Sequence, residues 1–70
     1  MKITNKTSTL KEETVVWLPS EEFLIIKQVI TASCGVYYKV EFVEPDGDEY
    51  ISIGEMRVIP HRDLIGGEID

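Results

Sequence analysis

Seventy residues leave room for a single domain, and a chain this short buries only roughly 60% of its unfolded surface on folding, so it needs a well-filled core, a cross-link or a partner. One cysteine, Cys34, excludes an internal disulfide, and the absence of a CxxC pair removes the usual zinc alternative, which leaves the 43% hydrophobic content to supply a core. Seven basic residues against thirteen acidic ones give a net charge of −6, which argues against direct nucleic-acid binding, where cations must neutralise phosphates, and in favour of ordinary solubility or a basic partner.

Residues 1–12 begin with the polar run MKITNKTSTL and read as a flexible lead-in carrying Lys2, Lys6 and Lys11. This opening has no apolar segment of the signal-peptide kind, and no run nears the roughly 20 apolar residues of a membrane helix, so a cytoplasmic protein without membrane contact is expected. A short strand follows at Thr14–Leu18, where Val15, Val16 and Trp17 are strong β-formers, and Pro19-Ser20 ends it. Ser20-Glu21-Glu22 has the composition of a helix start. The residues after it, Phe23–Thr31, lack alanine and are rich in β-branched side chains, so a second strand is the better reading and a helix over 20–30 the rival.

Ala32-Ser33-Cys34-Gly35 is a turn of small residues. Val36–Val43 then alternates, with Val36, Tyr38, Val40 and Phe42 on one face and Tyr37, Lys39 and Glu41 on the other, the period of a half-buried strand. Glu44-Pro45-Asp46-Gly47 has turn chemistry, and Asp48–Ile53 returns as the fourth strand. A core confined to one face predicts a four-residue loop with Val43 opposite Asp48, Val40 opposite Ile51, Tyr38 opposite Ile53 and Glu41 opposite Tyr50. Gly54-Glu55-Met56 reads as one helical turn, Arg57–Ile59 as a fifth strand stopped by Pro60, and residues 61–70 as a loosely held tail.

These elements, occupying residues 13–60, describe an all-β, five-stranded SH3-like barrel with one helical turn before its last strand. The run Tyr38-x-Val40-Glu41-Phe42, followed by Asp46-Gly47, Tyr50-x-Ser52 and Glu55-Met56-Arg57-Val58-Ile59-Pro60, resembles the YxVxF…DG…V…ELRxI pattern of Tudor-like and related SH3-like domains. The likeness is strongest over residues 36–60 and concerns core and turn positions, so it implies a fold and leaves open which function of that broad group applies: peptide binding, reading of methylated lysine or arginine, or KOW-like association with nucleic acid. A methyl-cation cage holds its ligand by cation–π attraction. Its candidates would be Trp17, Phe23, Tyr37 and Tyr50, but the expected register offsets Tyr37 from Tyr50, and Trp17 would complete a cage only if the first strand ended beside them.

No catalytic constellation stands out. His61, the single histidine, reads as a solvated surface residue, Cys34 as a turn residue with no nearby base, and Asp46-x-Asp48 lacks the later ligands of a calcium loop. No metal, cofactor or enzyme activity is expected. The distinctive surface is acidic: Glu41, Glu44, Asp46, Asp48, Glu49 and Glu55 crowd around the hairpin. With Tyr37, Tyr50 and Trp17, the carboxylates of Glu41, Glu44, Asp46 and Asp48 form an expected docking face for a basic protein partner. The alternative is an inhibitor that mimics nucleic acid and occupies the basic groove of a DNA- or RNA-binding enzyme. A small phage- or plasmid-encoded protein would suit the size, and a homodimer pairing through the 23–31 strand is also compatible with the pattern.

Overall fold

The long alternating segments pair as antiparallel ribbons. In the computed structural model, which describes residues 1–69, five strands form one sheet: β1 (Val15–Trp17), β2 (Phe23–Ala32), β3 (Gly35–Asp46), β4 (Glu49–Pro60) and β5 (Glu68–Ile69), in the spatial order β4-β3-β2-β1-β5. Every pairing is antiparallel. A short 3-10 turn, η1 (His61–Leu64), links β4 to β5. The all-β class holds. The sheet is open, with β4 and β5 at its two edges and no pairing between them to close a barrel.

The β2 segment is strand throughout, because β-branched side chains lose rotamer freedom in a helix and pack well on a pleated surface. β3 pairs with it along its length from Phe23 to Ala32, whereas β1 pairs only with its first three residues, Phe23–Ile25. Cross-strand partners share a face, and Leu24↔Phe42, Ile26↔Val40 and Val29↔Tyr38 assemble the inner face of β2 and β3. Tyr38, Val40 and Phe42 are buried there as their alternation predicts.

The expected hairpin register is corrected. Asp46 pairs with Glu49, Pro45 with Tyr50, Glu44 with Ile51 and Val43 with Ser52, so the loop is the two residues Gly47-Asp48. Gly47, at φ 61°, opens it at the position where a type II′ hairpin needs positive φ. The helical turn expected at 54–56 is also absent. Glu41 pairs with Met56 and Val43 with Ser52, two positions apart on β3 and four apart on β4, so the extra residues form a bulge around Gly54, at φ 80°. The strands read as 48–53 and 57–59 are therefore one bent β4. Tyr38 faces Ile59 and Val40 faces Arg57, while Ile51 and Ile53 stay exposed.

The expected register rests on the premise that the hairpin must cover itself. The cover comes instead from the chain ends. Ile3, Leu10 and Leu64 join Val16, Leu24, Ile26, Tyr38, Val40 and Phe42 in one core cluster. The Ile3 amide donates to the Gly67 carbonyl (2.8 Å), the Gly66 amide to Ile3 (2.9 Å) and the Ile69 amide to Met1 (2.8 Å). Residues 1–12, expected as a flexible lead-in, and 61–69 of the expected loose tail thus carry core side chains and backbone pairing; Asp70 lies outside the described residues. Gly67 makes this closure close-fitting, since a β-carbon there would stand 2.8 Å from Val16 Cγ1 and 3.0 Å from the Leu64 carbonyl.

Candidate functional site

The β1–β2 connection turns at Leu18–Glu22, held by hydrogen bonds from the Glu21 amide to Leu18 and from the Leu18 amide to Glu22 (2.9 and 2.8 Å). The antiparallel register then sets Phe23 opposite Val43, bringing the acidic turn beside the β3–β4 hairpin. Between them lies a groove of about 480 Å³. Phe23, Phe42, Val43, Pro45 and Ile53 give it an apolar lining, and Glu21, Glu22 and Glu44 add carboxylates.

Alongside it the aromatic side chains form a row. Trp17 stacks on Phe23 with ring centroids 5.9 Å apart and planes within 7°, and Tyr50 approaches Phe23 at 6.1 Å and 44°. Offset and tilted pairs of this kind are favourable arrangements of ring quadrupoles. Trp17, Phe23 and Tyr50 also line a small recess of about 70 Å³ with Val15 and Glu68. The first strand does end beside Tyr50, as a cage would require, with Phe23 in near-parallel contact with Trp17.

The residues expected to form one docking face separate into three places. Tyr37 lies at the far end of the hairpin, opposite Pro60 and Ile30, with its hydroxyl 3.2 Å from Cys34 Sγ. The hydrogen bond to Cys34 and repulsion from its thiolate raise the Tyr37 phenol above its ordinary value; desolvation adds to this and Arg62 opposes it. Glu41 is taken up internally: Ser52 Oγ donates to its Oε2 (3.1 Å) and Lys27 Nζ stands 3.8 Å from its Oε1. Glu44, Asp46 and Asp48 remain exposed at the hairpin end, where Tyr50 pairs with Pro45. Glu55, also part of the acidic crowd, pairs with Arg57 at 2.9 Å.

Glu21, Glu22, Phe23, Val43, Pro45 and Ile53 were missing from the expected face. The signal that could have found them is the pairing of β2 with β3, which carries the PSEE turn to the level of Val43–Pro45. His61 also departs from expectation. Its Nδ1 lies 2.8 Å from the Tyr38 hydroxyl, and its Nε2 is 3.3 Å from the Thr4 carbonyl. Among the described residues no group of three or more His, Cys, Asp or Glu side chains is placed to hold a metal ion, and no helix is long and apolar enough to cross a membrane.

A scan against models of known protein families, a search of curated proteins and a search of solved structures return no match. The class established by the fold is thus a small all-β domain built on one open antiparallel sheet.

Proposed function

We propose that this chain is a non-enzymatic interaction module, a variation on the SH3-like theme, that binds a protein segment combining basic and apolar side chains. The observation that carries this reading is the groove between the Glu21-Glu22 turn and the hairpin, where an apolar lining meets three carboxylates. Apolar area supplies affinity, and carboxylates at the margin select a cationic partner and speed its approach. Trp17 and Tyr50 extend the surface with amphipathic rings of the kind enriched in binding hot spots. Tyr37 and Glu41 drop out of the site, the first by position and the second by its internal partners. Mimicry of nucleic acid is the weaker reading, because Lys27 and Arg57 already offset Glu41 and Glu55.

The test is a nuclear magnetic resonance titration of the labelled protein with short peptides in which Lys or Arg flanks Leu or Phe. Shifts should centre on Phe23, Val43, Glu44 and Ile53, weaken with added salt, and disappear in Glu22→Lys/Glu44→Lys. Shifts that ignore these positions, or that match those of an all-acidic control peptide, would overturn the reading.

A further inference from the structure

The sheet has two very different edges. β5 spans two residues, whereas β4 spans twelve and pairs on one side only. Long edge strands are usually blunted with lysine, proline or charge. β4 has no lysine and its one proline stands at its end; its charges are Glu49 at its start and the neighbouring Glu55 and Arg57, and its chief interruption is the Gly54 bulge. Ile51, Ile53, Met56 and Val58 along it are 52%, 49%, 48% and 58% exposed. A chain of this size gains proportionately more than a larger one from covering such a strand.

We infer that β4 pairs with β4 of a second copy across a two-fold axis at Met56. An antiparallel self-pairing opposes each residue to the one equidistant from the axis, so the choice of axis decides which charges meet. An axis at Glu55 sets carboxylate against carboxylate, and one at Arg57 sets guanidinium against guanidinium; like charges directly opposite are destabilising. An axis at Met56 sets Glu55 of each copy opposite Arg57 of the other. Because Glu55 and Arg57 already pair within the strand at 2.9 Å, the four groups alternate in sign around the axis. Val58, the most exposed of the four apolar side chains, lies two residues from the axis, where the pairing covers it.

Sedimentation equilibrium tests this directly. The wild-type chain should approach twice its 8.0 kDa mass by about 0.5 mM, which an association of about 10 μM or tighter gives. Glu55→Arg and Arg57→Glu should each be folded by circular dichroism and weaken the dimer about tenfold or more, as two opposite-charge pairs become like-charge pairs. Mixed in equal amounts, they should form a heterodimer, because the two arginines of one variant then face the two glutamates of the other across the axis. That rescue cannot come from the intrastrand pair, which is like-charged in both variants. If either variant fails to fold, Val58→Lys replaces it and should give a monomer. A wild-type chain monomeric throughout, a dimer indifferent to these changes, or a mixture that stays monomeric would each overturn the proposal.

Discussion

The Tyr38 hydroxyl and His61 Nδ1 stand 2.8 Å apart, joining the middle of β3 to the turn after β4. The Leu10 amide donates to the same hydroxyl at 3.1 Å; the Thr4 carbonyl can only accept, so Nε2 carries the proton toward it, and in the neutral ring Nδ1 accepts from the phenol. One buried side chain therefore secures both ends of the chain over the core. Tyr38→Phe keeps the ring and removes only the oxygen, leaving the Leu10 amide without a partner. The expected loss is about 1–3 kcal/mol, read as a lower urea midpoint at unchanged slope. Hydrogen exchange of the Leu10 amide should speed up; unchanged protection would show that the oxygen does not hold the segment.

Why was this invisible in the sequence? Tyr38 was recognisable as a core residue because alternation reports which face a side chain occupies. Its partners lie 28 and 23 positions away, and period-two patterns contain nothing about which distant segment covers a face. Ile3 and Leu10 are isolated apolar residues in a polar run, too sparse to show periodicity, yet both are buried. The same gap explains the hairpin. Assigning its apolar residues to a single core forced Ile51 and Ile53 inward, while the core's actual cover came from the ends. The acidic hairpin tip with Tyr50 and Trp17 was legible from composition. The groove was not, because it depends on β2 meeting β3.

Gly67 tests the closure of the chain ends from the other side. A methyl group there meets the Val16 side chain at 2.8 Å and a backbone oxygen at 3.0 Å, and neither can withdraw without moving β1 or the turn that carries Leu64. Overpacking of this kind costs about 1–3 kcal/mol, so Gly67→Ala should lower the unfolding midpoint. By contrast, a β-carbon at Gly35 meets nothing within 4 Å, and any loss there would reflect its φ of 140° alone. If Gly67→Ala proves as stable as the wild type, the tail does not close against Val16 as described.

Tyr37 offers a pH-dependent readout. The Cys34 hydrogen bond favours the protonated phenol in the folded chain, so this contribution to stability is fully present below the ordinary tyrosine value near 10 and is lost as pH rises through the raised one. Cys34→Ala removes the largest cause and should move one tyrosine transition to lower pH, followed as the growth of phenolate absorbance. Superimposable titrations of the two proteins would mean that the thiol does not engage Tyr37.

At the hairpin end, Asp46 lies directly opposite Glu49. Like charges at paired positions destabilise a ribbon, and opposite charges contribute roughly 0.2–1 kcal/mol. Glu49→Lys should therefore raise stability by up to about 1 kcal/mol, with the gain shrinking in high salt as screening sets in. The change also separates fold from function. Glu49 is not among the groove residues, so the variant should bind a Lys- or Arg-flanked peptide with only the modest weakening that one fewer distant carboxylate implies. Phe23→Ala should do the reverse. It takes the middle ring from the Trp17–Phe23–Tyr50 row and part of the groove's lining, so peptide binding should be lost and Trp17 emission should shift to the red as its stacked face meets water. A Phe23→Ala protein that binds as well as Glu49→Lys would move the binding surface away from the groove.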